Sequence, residues 1–159
     1  MGRAKGYIYG PEFECMSRSE MENLQSERLK KTVERVYRNC APYRAKMDEL
    51  KLKPSDIRSV ADLSKLPFTV KHDLRENYPF GFYSAPKSEI VEVHASSGTT
   101  GKLTVVGYTQ NDIDVWSEIV ARGLAMAGVT KDSTVHVAYG YGLFTGGLGA
   151  HYGAQKIGA

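Results

Sequence analysis

Seven consecutive residues, 96 to 102, combine four hydroxyl side chains, two glycines and a lysine. The interiors of helices and strands rarely contain this mixture, whereas a loop that wraps a polyphosphate favours it. Glycines let the backbone approach a ligand closely, and successive N–H groups in such a turn form a concavity that binds anions. The hydroxyls can donate to phosphate oxygens, and a lysine adds mobile positive charge. The predicted phosphate-binding loop consists of Ser96, Ser97, Gly98, Thr99, Thr100, Gly101 and Lys102.

The context of this loop excludes the P-loop of nucleotide triphosphatases. That motif requires G-x-x-x-x-G-K-[ST] between a strand and a helix. Here Gly98 and Gly101 lie too close together, Leu103 follows the lysine, and the β-favouring segments 89–95 and 103–109 flank the loop on both sides. The alternative, an ordinary solvated turn, stays open at this point because clusters of Ser, Thr and Gly are common in turns.

A second constellation, residues 139–147, alternates aromatic residues with glycines. Gly140, Gly142 and Gly146 come close to a dinucleotide-binding fingerprint, but the acidic residue expected about 20 positions later would fall beyond residue 159. The bulky residues between the glycines would also crowd a pyrophosphate. Rings beside glycines suit a flat apolar ligand. A glycine-rich helix packed closely on the sheet explains the same residues.

Both constellations resemble parts of one known family. The loop 96–102 is similar to the phosphate-binding loop of adenylate-forming enzymes, the acyl-CoA synthetase superfamily. Segments 103–109 and 138–154 look like phenylacetate–CoA ligases, and Tyr43-Arg44 and 66–75 support the same resemblance, which covers most of the chain. Leu103 departs from the family, which usually has proline there. The departure removes a fixed φ but no phosphate donor.

The resemblance implies an acid–thiol ligase. In that family, ATP-dependent adenylation of an aryl acid releases pyrophosphate, and coenzyme A then displaces AMP to form a thioester. The implied cofactors are ATP and Mg²⁺, coenzyme A is the cosubstrate, and the full-length family allows a homodimer. The loop 96–102 would hold the β- and γ-phosphates. The residues implied for the aryl-acid pocket are Tyr139, Gly140, Phe144, Gly146 and Ala150.

The resemblance also predicts that the chain is incomplete. The family's ribose-binding acidic residue, its adenine motif and the catalytic lysine of its mobile carboxy-terminal domain lie downstream of the segments matched here. We therefore expect an amino-terminal fragment without the carboxy-terminal domain and without activity of its own. Two alternatives stay open: a non-catalytic nucleotide-binding or interaction module, and a Rossmann-like fragment that binds NAD(P).

The spacing of apolar residues predicts a helical first half. Ser19 with Glu22 forms a capping-box pattern for a helix from about Glu20 to Asn39. Pro42 opens a second helix through Leu50 because proline is favourable in a first turn. Shorter helices are predicted near 59–63 and, with Thr69 as the cap, over 70–77.

The second half alternates between strands and helices. Strands are predicted over 89–95, 103–108 and 134–139, a helix from the capping box of Thr109 and Asp112 to Gly128, and a last helix over 145–157. The apolar face of the first of these helices is predicted to include Ile113, Trp116, Ile119, Val120, Gly123, Leu124 and Ala127. The predicted fold class is α/β, with a helical amino-terminal region (1–88) and an incomplete mixed sheet with covering helices (89–159). By resemblance, residues 89–159 begin the large AMP-binding domain of adenylate-forming enzymes.

Bulk properties exclude several classes of protein. A net charge of +3 without a clustered basic face disfavours a nucleic-acid binder. Cys15 and Cys40 form no C-x-x-C pair and are predicted to be reduced thiols. The four histidines lack metal-ligand spacing, so no metal site is predicted. The amino terminus lacks the apolar run of a signal peptide, and no stretch approaches the ~20 apolar residues of a membrane span, so we expect a cytoplasmic protein.

Overall fold

A computed structural model describes residues 8–96, 103–143 and 145–159. Within these ranges the helices and strands are joined by connections of different lengths, the longest of which lies between the last two helices. In chain order they are α1 (Pro11–Glu14), α2 (Arg18–Asn39), α3 (Ala41–Glu49), the 3₁₀ helices Pro54–Asp56 and Val60–Lys65, α4 (Lys71–Glu76), the 3₁₀ helix Lys87–Glu89, β1 (Ile90–Ser96), β2 (Thr104–Thr109), α5 (Gln110–Met126) and α6 (Thr145–Ile157).

The amino-terminal helices close on a small apolar core. Val33 of α2, Met47 of α3 and Ile57 after the first 3₁₀ helix are at most 2% exposed. Burial of side chains of this size stabilises the fold by about 1.5–3 kcal/mol each. The partly buried residues around this core are Leu29, Tyr37, Tyr43, Leu52 and Leu66. The predicted helical first half is confirmed, whereas the division into domains at residue 88 stays a prediction.

Two helices begin at different residues from those predicted. The cap of α2 is Ser17, whose hydroxyl accepts from the Glu20 N–H at 3.3 Å while the Glu20 carboxylate accepts from the Ser17 N–H at 2.9 Å. The predicted pair Ser19 and Glu22 lies inside the helix instead. Similarly, α4 is capped at Val70 rather than Thr69, because Asp73 accepts from the Val70 N–H at 2.8 Å. In both helices the sequence allows a cap at either of two positions one or two residues apart. Only the backbone geometry shows which residue is the cap.

Strands β1 and β2 form an antiparallel hairpin that leads directly into α5. The register pairs Glu92 with Tyr108, His94 with Val106 and Ser96 with Thr104. Thr109 caps α5 through the predicted capping box with Asp112, and Gly128 follows the helix at φ +93°. These predictions are confirmed, as is α6 over 145–157. The α/β class of the prediction is confirmed with them.

The predicted strand 134–139 is wrong, since no part of this segment is assigned as strand. Its residues alternate between half-buried and exposed positions as a strand does. However, no described segment pairs with it, and a strand exists only through its ladder of hydrogen bonds. The described sheet is therefore a two-stranded antiparallel hairpin. The predicted apolar face of α5 also needs three corrections, because Ile119 is 60% exposed and Gly123 and Ala127 are exposed too.

Helix α6 packs on α5 through glycines. A Cβ atom on Gly149 would lie 2.5 Å from Cζ2 of Trp116, and one on Gly153 would lie 2.4 Å from Cγ1 of Val120. Such distances are far inside van der Waals contact, so these positions accept only glycine at the observed helix separation. The glycine-rich character of residues 139–147 continues into this contact, where glycines place α6 against α5 rather than against the sheet.

The structure also describes the cysteines and the apolar character of the helices. Both cysteines are free, with Cys15 exposed and Cys40 buried. Among the helices of the described residues, none combines the length and the apolar character needed to cross a bilayer.

Substitution of Gly153 by alanine tests the α5–α6 contact. Because the new methyl group would overlap Val120, we expect the free energy of unfolding to fall by about 1–3 kcal/mol. Gly123→Ala is the matched control, since a Cβ there meets nothing within 4 Å and the helix gains up to ~1 kcal/mol. Urea denaturation followed by the fluorescence of Trp116 measures both. Equal stability of the two variants would contradict the close packing of the two helices.

The two serines at the start of α2 distinguish the observed cap from the predicted one. Ser17→Ala should lower the free energy of unfolding by about 1 kcal/mol because the Glu20 N–H loses its acceptor. Ser19→Ala should change it by less than about 0.5 kcal/mol, as surface substitutions usually do. Thermal unfolding followed by circular dichroism compares them, and a larger loss in Ser19→Ala would place the cap at the predicted residue.

Candidate active site

The predicted phosphate-binding loop connects the two strands of the hairpin. Ser96 is the last residue of β1, is exposed, and pairs in register with Thr104 at the start of β2. Residues 97–102 lie outside the described residues. Cα atoms of such partners are about 4.5–5.5 Å apart, so the loop leaves and returns at nearly one point. At this point the hydroxyl oxygen of Thr104 is buried and has no hydrogen-bond partner within the described chain. The hairpin therefore anchors the base of the loop on both sides.

The aromatic and glycine-rich segment meets the strand that enters this loop. The carbonyl oxygen of Leu143 accepts from the Ala95 N–H at 2.9 Å and contacts Nδ1 of His94 at 3.1 Å. Because a carbonyl can only accept, Nδ1 carries a proton and donates to it. Ala95 and Leu143 are each one residue from a predicted site position, Ser96 and Phe144. The two predicted constellations thus come together in space.

The residues predicted for the aryl-acid pocket are brought together only in part. The ring of Tyr139 lies beside Gly146, where a Cβ would be 3.2 Å from Cε1 of the ring. Tyr139 is 61% exposed and Gly140 is exposed. Ala150 is half-buried and lies one turn beyond Gly146 on α6, while Phe144 lies outside the described residues. The assignment of these residues to a pocket stays a prediction.

A partly buried series of hydrogen bonds supports His94 on the side away from Leu143. His94 is 2% exposed, and its Nε2 contacts Oε1 of Glu92. The second carboxylate oxygen, Oε2, accepts from the hydroxyl of Tyr152 at 2.6 Å. None of these three residues is predicted from the sequence as a site residue. Glu92 and His94 occupy alternate positions of a strand, which is a local sign of a shared face, but nothing local indicates Tyr152, which is 60 residues away from Glu92.

Aromatic rings surround the hydrogen bonds that join His94, Glu92 and Tyr152. The ring of Tyr108 stacks on Trp116 at 5.3 Å, and His94 meets Trp116 edge-on at 5.6 Å. Tyr152 also meets Trp116 edge-on, at 6.1 Å. Such stacked and edge-on pairs each contribute about 0.5–1.5 kcal/mol beyond the area they bury. Trp116, the one tryptophan of the chain, lies at the centre of the group.

The two phenols of the group are held protonated. The hydrogen bond to Glu92 is the main cause that raises the pKa of Tyr152, and burial adds to it. Burial is the main cause that raises the pKa of Tyr108, with smaller contributions from Glu92 and Asp112. Since an unperturbed tyrosine already titrates near pH 10, both hydroxyls carry their protons at neutral pH. Tyr152 is therefore a hydrogen-bond donor to the Glu92 carboxylate.

The described residues show no group of three or more His, Cys, Asp or Glu side chains arranged to hold a metal ion. Of the two histidines in the carboxy-terminal half outside the hairpin, His151 is exposed and its Nδ1 lies 3.3 Å from the Tyr141 hydroxyl. The other, His136, is also exposed. Next to the predicted phosphate-binding loop lie the β1–β2 hairpin and the aromatic segment 139–143, which is hydrogen-bonded to β1.

Curated phenylacetate–coenzyme A ligases match nearly the whole chain. The one from Escherichia coli strain K12 is 56% identical over 146 residues, which cover 92% of this chain and 33% of the relative. Those from Aromatoleum evansii (55% over 145 residues, 91% and 33%) and Thermus thermophilus (52% over 151 residues, 95% and 34%) give the same result. The chain thus spans about a third of the length of these relatives.

Solved structures agree with the sequence matches. A crystal structure of 2-hydroxyisobutyryl-CoA ligase in complex with 2-HIB-AMP and CoA, in the thioesterification state, covers all of this chain and 35% of its own, with a TM-score of 0.89 and 30% identity. An open conformation of the same ligase gives a TM-score of 0.87 at 30% identity, with 100% of this chain and 38% of its own covered. No family model matches the chain. Over more than nine-tenths of its length the chain is similar in sequence to phenylacetate–coenzyme A ligases, of which it spans about a third, and in fold it is similar to 2-hydroxyisobutyryl-CoA ligase.

Proposed function

We propose that this chain carries the ATP-phosphate contacts and part of the aryl-acid contacts of a phenylacetate–CoA ligase. The reaction is attack of the acid's carboxylate on the α-phosphorus of ATP, which releases pyrophosphate, followed by displacement of AMP by the thiol of coenzyme A. The observation that carries the proposal is the identity of 52–56% to phenylacetate–CoA ligases over at least 91% of the chain.

The loop 96–102 is assigned the β- and γ-phosphates of ATP. Its hydroxyls and N–H groups donate to phosphate oxygens, and Lys102 offsets their charge. The hairpin supports this assignment, because β1 and β2 hold the residues on both sides of the loop. Mg²⁺ bound together with ATP would offset part of the phosphate charge at this loop.

The aryl acid is assigned to the segment that begins at Tyr139. In this proposal the rings of Tyr139 and Phe144 form walls, and Gly140, Gly146 and Ala150 leave room for a flat ligand. The hydrogen bonds that Leu143 accepts from β1 support it, since they hold this segment beside the start of the phosphate loop. The carboxylate must reach the α-phosphorus, so the two ligands have to bind next to each other.

The structure favours this assignment over a site for NAD(P). A dinucleotide fingerprint requires a strand immediately before its glycines. Residues 134–139, which precede Gly140, are not assigned as strand in the structure. A non-catalytic nucleotide-binding module remains the second candidate for the isolated chain, because the chain spans only about a third of the length of its relatives. A cytoplasmic location and a homodimer of the full-length protein are proposed from the family resemblance alone.

A pyrophosphate-release assay tests what the isolated chain can do. With phenylacetate, ATP, MgCl₂ and coenzyme A, we expect no turnover above background, because two-thirds of the length of the relatives is missing from the reaction. The full-length ligase from Escherichia coli is the positive control. Turnover at the rate of that enzyme would show that residues 1–159 contain the whole catalytic apparatus, contrary to the proposal.

Calorimetric titration tests the phosphate loop directly. We expect the chain to bind ATP more tightly than NADPH, and Lys102→Ala to weaken ATP binding roughly tenfold because a charged hydrogen-bond donor is lost. Lys31→Ala, an exposed lysine of α2, is the control and should leave the affinity unchanged. Preference for NADPH, or an unchanged affinity in Lys102→Ala, would contradict the assignment of the loop.

A further inference from the structure

We propose that His94 is a positioning residue that couples the aryl-acid segment to the phosphate loop. This inference rests on the proposed function for its two ligands. Among the described residues, the side chain of His94 makes hydrogen bonds and ring contacts with Leu143, Glu92, Tyr108 and Trp116, none of which is a predicted ligand-site residue. It acts through the carbonyl group of Leu143, which it holds from the side of β1.

The carbonyl group of Leu143 is held at two points. It accepts one hydrogen bond from a backbone N–H and one from an imidazole, both on adjacent residues of β1. Ala95 directs this N–H to Leu143 rather than to β2, so the segment 139–143 is attached to the free edge of the hairpin. A single backbone bond would leave the segment able to pivot. The imidazole supplies the second point of attachment.

The imidazole of His94 cannot easily turn away from this carbonyl. Its Nε2 is in contact with Glu92, whose carboxylate is held from α6 by the hydroxyl of Tyr152 at 2.6 Å. Edge-on contacts with Tyr108 and Trp116, at 5.4 Å and 5.6 Å, fix the plane of the ring. A ring that is held on both nitrogens and on its edges has one orientation. That orientation presents the Nδ1 proton to Leu143.

The positions of these two residues along the chain link the predicted ligand sites. His94 lies two residues before Ser96, and Leu143 lies immediately before Phe144. Movement of either predicted ligand site is therefore transmitted to the same pair of hydrogen bonds. If the acid restrains the segment 139–143, the end of the strand that leads into the phosphate loop is restrained with it, and ATP then binds at a smaller entropic cost. The expected result is positive coupling between the two ligands.

Two substitutions separate this role from mere packing. In asparagine the amide nitrogen is bonded to Cγ, as Nδ1 is in histidine, so His94→Asn keeps a donor for Leu143 and loses the contact with Glu92. In glutamine the amide nitrogen is one bond further out, as Nε2 is, so His94→Gln keeps a donor for Glu92 and loses the one for Leu143. The variants match in polarity and differ in which neighbour they reach.

Amide hydrogen exchange, measured by NMR on the chain without ligands, reports on the attachment. We expect the Ala95 amide to exchange at similar rates in the wild type and in His94→Asn, and roughly tenfold faster in His94→Gln, because the loss of one buried hydrogen bond favours local opening. The amides of the β1–β2 ladder are the internal control for folding and should keep their rates. Equal protection of Ala95 in both variants would overturn the proposed attachment.

Calorimetric titration of ATP with MgCl₂, with and without saturating phenylacetate, measures the coupling. In the wild type and in His94→Asn we expect phenylacetate to tighten ATP binding about fivefold or more. In His94→Gln each ligand should bind alone within about twofold of the wild type, while the coupling disappears. Coupling that persists in His94→Gln would overturn the inference alone. Binding of neither ligand to the wild-type chain would overturn the proposed function and the coupling together, and amide exchange would still decide the attachment.

Discussion

The close approach of α6 to α5 is the constraint on which the rest of the carboxy-terminal half depends. Gly149 and Gly153 allow the backbone of α6 to lie against Trp116 and Val120. At that separation Tyr152, from the same helix, reaches the carboxylate of Glu92 on β1. The carboxylate in turn meets His94, and His94 meets the carbonyl of Leu143. The contact between α5 and α6, which only glycine allows, thus helps to determine where the segment 139–143 is held.

The hydrogen bonds that link Tyr152, Glu92, His94 and Leu143 depend on the aromatic rings around them. A partly buried carboxylate is stabilised by hydrogen-bond donors, since its desolvation is costly in an apolar surrounding. Oε2 of Glu92 accepts from the hydroxyl of Tyr152, and Oε1 contacts Nε2 of His94. Tyr108 and Trp116 exclude water from the imidazole, which strengthens hydrogen bonds by lowering the local dielectric. The raised pKa of Tyr152 follows from the same arrangement, because removal of its proton would place a second negative charge beside Glu92.

The sequence predicts local features of this protein well and distant ones poorly. The capping box at Thr109 and the bounds of α6 follow from residues within a few positions of each other, and they are confirmed. The predicted cap of α2 lies two residues too late because Ser17 and Ser19 each have a glutamate three positions later. The segment 134–139 has the alternation of a strand, yet pairing depends on a partner that no local pattern reveals. The loop 96–102 can be predicted as a phosphate-binding loop because its hydroxyls, glycines and lysine are consecutive. The hydrogen bond between Glu92 and Tyr152 cannot be predicted in this way, because it joins residues that are 60 positions apart.

The hairpin also bears on the composition of the predicted phosphate loop. In a P-loop the chain continues into a helix, and the helix amino terminus brings N–H groups and about half a positive charge to the phosphates. Here the chain continues into β2 instead. In the proposed function, the positive potential for a bound polyphosphate then comes mainly from side chains and from the turn itself. Four hydroxyls and Lys102 within seven residues fit that proposal.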